Sequence, residues 1–347
     1  VGIFSRFSLS RDIGIDLGTA NTLIYVSGKG IVLNEPSIIA IDQSRKVSLA
    51  VGEEAKKMLG RTPANVIVVR PLRDGVITDF LSAMIMIQEF IRQANEGIPL
   101  GNPRMIIGVP SGITDVERRA VIDAAREAGA RKVGLVEEPV AAALGAGLPI
   151  TEATGNMIVD IGGGTTEVAI LSLQGQVFSQ SIRVAGDELT ESIIQYVKKV
   201  HNMIIGERTA EEIKIRLASA YPIEQEEELT MEVRGLHLLS GLPRSITLRG
   251  GEIRECMSEP LAAIVEAIKS TLEHTPPELA SDIMDRGIIL AGGGALLKGI
   301  DILISHETGI VTHIAEDPLH CVVKGTEEIL KNSVMLDKIL YQTSKVV

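Results

Sequence analysis

Ile15-Asp16-Leu17-Gly18-Thr19-Ala20-Asn21-Thr22, running on into the apolar residues 23–26, returns 144 positions later as Val159-Asp160-Ile161-Gly162-Gly163-Gly164-Thr165-Thr166, running on into Glu167 and the apolar residues 168–171. Gly18 falls on Gly162, Thr22 on Thr166 and Val26 on Ile170. Each copy reads as an apolar strand ending in Asp, a glycine-bearing turn and a second strand. Glycine lets the backbone approach a phosphate with its N–H groups turned inward, and the hydroxyls of Thr19, Thr22, Thr165 and Thr166 add donors. Asp at the strand end has the wrong charge for phosphate, so a cation must stand between them. Hydrated Mg²⁺ suits that place, because it takes few carboxylates and completes its shell with water and phosphate oxygens. Asp16 and Asp160 are therefore read as metal residues acting through water. A single D-x-G turn is commonly a β-turn whose Asp bonds its own backbone. The duplication instead points to an α/β protein with two like-built halves facing each other across one nucleotide.

A third glycine cluster lies further on. Residues 286–290 read as a short strand, Ala291-Gly292-Gly293-Gly294 as a tight turn, and Ala295-Leu296-Leu297-Lys298-Gly299 as a helix start. Such a turn can pass close to a flat base or sugar with no side chain in the way. Neither G-x-G-x-x-G nor G-x-x-x-x-G-K-[ST] is matched, so Rossmann and Walker sites have no support.

Two D-x-G hairpins and a late G-G-G loop resemble the superfamily of actin, the sugar kinases and the heat-shock chaperone ATPases. Longer strings narrow the resemblance to the MreB family of bacterial actin homologues: I-D-L-G-T-A-N-T-L-I-Y at 15–25, G-K-G-I-V-L-N-E-P-S at 28–37, D-G-V-I-T-D-F at 74–80, V-P-S-G-I-T-D-V-E-R-R-A at 109–120, E-P-V-A-A-A-L-G-A-G at 138–147 and T-P-P-E-L-A-S-D-I at 275–283. It covers nearly the whole chain, up to about Lys331. It implies an actin-like ATPase fold of two duplicated α/β domains flanking a nucleotide cleft, each carrying a small inserted subdomain.

The resemblance also implies a chemistry, the slow transfer of the ATP γ-phosphoryl group to water with Mg²⁺ bound. Glu138 stands where related ATPases carry a Gln or Glu beside the attacking water. Read from its own residues, it is a carboxylate at a helix N-terminus. Glu137 is the weaker choice, since Pro139 ties the register of the motif to Glu138. Thr165 would bond the γ-phosphate or the same water. Gly18, Thr19, Ala20, Asn21 and Thr22 in one hairpin, and Gly162, Gly163, Gly164, Thr165 and Thr166 in the other, would hold the phosphates. Gly292, Gly293, Gly294 and Ala295 would approach the adenosine. Glu207, Glu211, Glu212, Ile213 and Lys214 match the segment that closes over it, with Glu211 on the ribose hydroxyls and Lys214 along the base. Taken alone, that segment is a charged, solvated helix face.

Composition narrows the setting. A net charge of −11 over 347 residues argues against nucleic acid as a partner. Cys256 and Cys321 stand apart and read as buried thiols of a reducing cytoplasm. The six histidines form no ligand spacing. No apolar run reaches the length of a membrane span. The expected place is cytoplasmic, peripheral on the inner face of the cytoplasmic membrane. In residues 1–11, helical spacing sets Ile3, Phe4 and Phe7 on one side and Arg6 away from them. Gly97-Ile98-Pro99-Leu100-Gly101 forms a short apolar tip. Family resemblance makes this segment and the Ile98/Leu100 loop contacts for an anionic membrane surface; read alone, they are a tail and two internally packed residues.

Along the chain, the first domain is expected at 12–154 with an insertion near 34–71, and the second at 155–330 with an insertion near 187–248. Residues 331–347 form a C-terminal segment expected to pack on the first domain. Helices are expected at 187–206, 207–217 and 259–272, the last ended by Pro276-Pro277. Thr114 and Glu117 should cap a helix at 116–128 that Gly129 closes. Residues 224–228 are an acidic, solvated run, followed by alternating stretches at 229–233 and 245–248. A kinase of this fold would need a substrate base and pocket, which no segment announces, and a chaperone would continue into a peptide-binding β domain. The favoured reading is a filament former that uses ATP to regulate assembly, directs cell-wall synthesis and maintains rod shape. Its partners would be copies of itself in paired antiparallel protofilaments and the membrane proteins of cell-wall elongation. Resemblance puts helix 116–128 near the two-fold axis, with Val116 as an apolar point in a charged face. The alternative is a monomeric ATPase acting as a nucleotide switch.

Overall fold

Both copies of the repeat form antiparallel hairpins at the centre of five-stranded sheets. In the first, Ile13–Leu17 pairs with Asn21–Val26, Gly30–Pro36 extends that side, and Arg104–Val109 then Lys132–Glu137 add parallel strands on the other. In the second, Asn156–Ile161 pairs with Thr166–Ser172, Gly175–Ile182 extends it, and Ile288–Ala291 then Thr312–Ile314 run parallel. Numbered along the chain, the strands of either sheet lie in the order 3-2-1-4-5. This computed structural model describes residues 11–45, 47–94, 103–224 and 229–345. The expected amphipathic N-terminal segment, the Ile98/Leu100 loop and residues 225–228 of the acidic run lie outside them.

The chain divides into two units, Val1–Pro149 with His320–Val347, and Ile150–Leu319. In the first, Ile13, Ile15 and Ile24 form a core with Met86 and Phe90 of helix Phe80–Ala94 and Ile122 of helix Asp115–Glu127. Leu23 and Tyr25, on the opposite face of the same hairpin, pack on Val323. Covering both faces explains why these strands are apolar throughout. In the second unit, Val159, Val168 and Ile170 pack with Ile193 and Val197 of helix Gly186–His201 and with Ile264 and Ile268 of helix Ser258–Glu273.

The unit boundaries differ from those expected. Residues 150–154 go with the second unit, where Gln174 N–H donates to the Ile150 carbonyl at 2.7 Å. Residues 320–330, expected in the second domain, go with the first. Helix Cys321–Lys331 crosses helix Glu138–Gly145 backbone to backbone: a Cβ on Gly145 would lie 1.8 Å from the Cys321 carbonyl oxygen, and one on Gly325 1.9 Å from that of Ala141. Such contact needs glycine, and no local pattern names its partner. The last helix, Ser333–Ser344, packs on edge strand Lys132–Glu137, where Thr343 Oγ1 accepts the Leu135 N–H at 2.9 Å.

Small sheets occupy the two insertions. Val47–Val51, Ile39–Asp42 and Val66–Val69 form one beside helix Gly52–Met58; Met203–Ile204, Thr230–His237 and Pro243–Arg249 form the other beside helices Glu207–Leu217 and Gly250–Cys256. The helix expected over 187–206 ends at His201, because Asn202 turns left-handed at φ 49° and a short strand follows. Pro277 opens helix Pro277–Arg286 in its first turn, so Arg286 ends a helix where a strand had been expected to begin. The capping box is present: Thr114 Oγ1 accepts the Glu117 N–H and the Glu117 carboxylate accepts the Thr114 N–H.

Candidate functional site

In the first unit Leu17 faces Thr22 across the hairpin, and Asp16 faces Leu23 on one side and Gly108 on the other. The buried Thr22 hydroxyl lies 2.9 Å from Ser37 Oγ, and Ser37 donates that hydroxyl to the Gly18 carbonyl at 2.6 Å. Ser37 also donates its N–H to the Ala20 carbonyl at 2.9 Å. Two acceptors of the turn are thus engaged within the protein, which lessens the electron-rich surface an anion would meet. A Cβ on Gly18 would fall 2.6 Å from the Asn21 carbonyl oxygen, so only glycine closes this turn. Thr19 Oγ1 accepts the Gly75 N–H at 2.9 Å. Gly75 and Asp74, at φ 75° and 50°, join Leu72–Arg73 to Val76–Ile77 in a tight two-residue turn. Thr22, expected to donate to phosphate, is instead a structural tie, whereas Thr19 keeps its own proton to give.

Burial pushes the Asp16 carboxyl up to about 7. A carboxylate desolvated in this way is stabilised in its charged form by a nearby cation, so the hairpin fits a bound Mg²⁺. No group of three or more His, Cys, Asp or Glu among the described residues is placed to hold a metal; an ion here would complete its shell with water and phosphate. Glu138 begins its helix and is largely buried. Its Cγ would lie 3.6 Å from a Cβ on Gly108, the strand neighbour of Asp16. Burial holds the neighbouring Glu137 carboxyl above its ordinary value, with Arg118 pulling it the other way.

The second hairpin repeats the arrangement with other partners. Ile161 faces Thr166, Asp160 faces Glu167 and Ala291, and the Thr166 hydroxyl donates to the Val184 carbonyl at 2.7 Å. Thr166, like Thr22, has its hydroxyl proton engaged in tying the hairpin. Gly162 N–H donates to the Thr165 carbonyl at 2.9 Å, closing the turn through Gly163 and Gly164. The start of helix Gly186–His201 docks here: Gly186 N–H donates to the Gly162 carbonyl at 3.1 Å and Asp187 N–H to that of Gly163 at 2.7 Å.

The glycine loop packs on this hairpin. A Cβ on Gly292 would lie 2.3 Å from the Ile161 carbonyl oxygen and 2.4 Å from Asp160 Oδ1, and one on Gly294 2.2 Å from Ile161 Cγ2. Two of the three glycines are therefore required by the protein's own packing, whatever else the loop approaches. Gly293 is the freer one, 3.4 Å from Leu319. The loop continues as a single 3₁₀ turn, Gly293–Leu296, and the α-helix begins only at Ile300; the Ala295 side chain is buried in the core.

Of the five residues in the segment expected to close over the adenosine, two reach the hairpin assembly. Lys214 Nζ donates to the Gly186 carbonyl at 2.8 Å and pairs with Glu211 at 2.7 Å. That ammonium is thus held by protein groups, which leaves its stem as the part able to lie along a base. Glu212 pairs with Arg216 at 3.0 Å on the surface, Ile213 is buried in the core, and Glu207 is exposed at the helix start. Ser37, Gly75, Gly186 and Thr190 were not read as site residues. Gly186-Asp187 at a helix start, the Asp74-Gly75 turn and the string at 28–37 that Ser37 closes were the available signals; nothing marks Thr190.

Two sheets of one topology, each centred on a D-x-G hairpin and each followed by a small inserted sheet, define an actin-like fold. Residues 10–338 match the family model MreB/Mbl protein, and the chain belongs to that family. It is 54% identical over 331 residues to the cell shape-determining protein MreB of Escherichia coli (strain K12), covering 94% of this chain and 95% of that protein. It is 50% identical over 329 residues to the cell shape-determining protein Mbl of Bacillus subtilis (strain 168), covering 95% and 98%. Among solved structures, MreB5 of Spiroplasma citri bound to ADP superposes with a TM-score of 0.89 at 38% identity, over 95% of this chain and 98% of that one. The same protein bound to AMPPNP gives 0.88. The MamK double helical filament, at 20% identity and a TM-score of 0.77, shares the fold.

Proposed function

We propose that this chain binds one Mg²⁺-ATP through both hairpins, hydrolyses it slowly, and uses the cycle to time its assembly into filaments that determine cell shape. The observation carrying this reading is the pair of hairpins in sheets of one topology, with Asp16 and Asp160 at the same register. The names of the relatives and the nucleotides bound by MreB5 of Spiroplasma citri support it. Bound Mg²⁺ would neutralise phosphate charge. The backbone turns at Gly18 and at Gly162 to Gly164, with the Thr19 hydroxyl, bind the phosphates; Glu138, with Thr165, orients the water. For phosphoryl transfer, positioning and charge stabilisation are most of what a protein supplies.

Self-association into paired antiparallel protofilaments belongs to the same proposal. Val116 is 79% exposed between Asp115 and Glu117, a placement that favours helix Asp115–Glu127 as the pairing surface. Contact with the anionic inner membrane surface, through residues 1–10 and the Ile98/Leu100 loop, and with membrane proteins of cell-wall elongation completes it. No helix among the described residues is long and apolar enough to cross a membrane.

Sedimentation with and without Mg²⁺-ATP, run beside phosphate release, tests the reading. Wild-type protein should pellet with ATP, and Glu138→Ala should slow phosphate release roughly tenfold or more with little change in affinity. ATP binding without pelleting would favour the monomeric switch, and a wild-type rate in Glu138→Ala would return Glu138 to a helix-start carboxylate.

A further inference from the structure

Thr190 lies one turn into helix Gly186–His201, almost fully buried, and nothing in its sequence context marks it. Its hydroxyl stands 2.8 Å from Glu211 Oε2 and 3.0 Å from the Gly186 carbonyl oxygen, and it accepts from Lys214 Nζ at 2.9 Å. A hydroxyl has one proton and two lone pairs, so it serves the carboxylate or the carbonyl as donor while holding the ammonium as acceptor. Lys214 in turn reaches the Gly186 carbonyl, and the Gly186 and Asp187 N–H groups hold the Gly162 and Gly163 carbonyls. An unbroken series of hydrogen bonds therefore runs from helix Glu207–Leu217 through Thr190 to the second hairpin. Its charged members are partly shielded: the Lys214 side chain is 15% exposed and that of Glu211 41%. Hydrogen bonds to charged groups in such settings are among the stronger ones.

We propose that Thr190 is a positioning residue of the nucleotide site, coupling the Glu211–Lys214 pair to the Gly162–Gly163 turn so that contacts at the adenosine end set the geometry at the phosphate end. This deepens the nucleotide reading above and rests on it. The coupling predicts that adenosine contributes to affinity partly by ordering the phosphate hairpin. Removing the hydroxyl should cancel that contribution and leave the hairpin able to hold a bare polyphosphate.

Calorimetry with Mg²⁺-ATP and with Mg²⁺-tripolyphosphate on full-length wild type, Thr190→Val and Thr190→Ser tests this. Valine keeps the shape and removes the hydroxyl; serine keeps the hydroxyl. Thr190→Val should lose roughly tenfold in ATP affinity, change less than about twofold toward tripolyphosphate, and recover in Thr190→Ser. With Lys214→Met added, the loss should be smaller than the product of the two single effects, because the groups act together. The coupling is overturned if Thr190→Val binds ATP as wild type does, if it loses ATP and tripolyphosphate alike, or if serine fails to restore binding. Wild-type protein that binds neither ligand would overturn the nucleotide reading itself, and the coupling with it.

Discussion

The two hairpins share register and topology, yet they are fastened differently. In the first, a side chain does the fastening: Ser37 holds the Gly18 carbonyl and meets Thr22. In the second, the side-chain tie of Thr166 to the Val184 carbonyl is joined by backbone: Gly186 and Asp187 N–H groups hold Gly162 and Gly163, and Gly292 and Gly294 press against Ile161. Beside the Asp, the first hairpin has Gly108, with Glu138 behind it, where the second has Ala291 and the glycine loop. A duplicated frame thus leaves one half free to carry a candidate catalytic carboxylate and the other to carry close backbone approaches.

The largest expected effect is electrostatic. With a folded-state value near 7 against an ordinary 3.8, Asp16 holds its proton in the folded protein where the unfolded chain has lost it. The unfolded state then binds fewer protons between these values, so stability falls as pH rises from about 4 to about 7. In EDTA without nucleotide, Asp16→Asn should remove this loss, raising stability at pH 8 by at most about 4 kcal/mol with little effect at pH 4. Urea unfolding at both pH values checks it. An equal flattening by Asp160→Asn would mean that the hairpins are electrostatically alike.

Packing comes next. Gly294→Val would force a Cβ to within 2.2 Å of Ile161 and should destabilise the second unit by about 3 kcal/mol. In the first unit, Gly112, in the loop after the corresponding strand, has nothing within 4 Å of a Cβ but φ of +75°; Gly112→Ala should lose only about 1 kcal/mol, from backbone strain. Similar urea midpoints for the two would remove the packing difference between the loops.

Ser37→Ala should lose about 1–2 kcal/mol by leaving buried groups without their partner. In the second hairpin the Gly186 and Asp187 N–H groups hold the turn in addition to the Thr166 hydroxyl, so loss of that one side chain should cost less. Thermal melting of Ser37→Ala checks this, and an unchanged midpoint would place the fastening elsewhere. The smallest effect is expected for Thr114→Ala, which removes the cap of helix Asp115–Glu127 and should lose about 1 kcal/mol; that cap belongs to the first unit alone, and a loss beyond about 2 kcal/mol would show that Thr114 also supports the sheet. Helicity followed by circular dichroism during the same melt reports it.

The features legible in the sequence were those whose signal is local. The Thr114–Glu117 box, the helix Glu207–Leu217 and the two D-x-G turns each rest on residues a few positions apart. Where reading failed, the competing contact was distant. Thr22 and Thr166 looked like phosphate donors, but Ser37 and Val184 engage their hydroxyls from a neighbouring segment. The sequence offered only a ligand as the reason for Gly292 and Gly294, but packing on Ile161 requires them as well. Helix Cys321–Lys331 looked like the end of the second domain, but it lies against Gly145 and Gly14 in the first unit.

Sequence alone determined that this protein is built twice around a phosphate-type hairpin, because strand period, turn glycines and the terminal Asp are set within eight residues and repeat at one offset. It also determined the family, through strings spread along nearly the whole chain. Only the tertiary structure decided which hydroxyls remain free, which glycines serve packing, where Lys214 places its charge, and which unit takes the helix after residue 320. Those outcomes depend on which distant group arrives first at a donor, an acceptor or a gap, and a one-dimensional pattern carries no record of that neighbour.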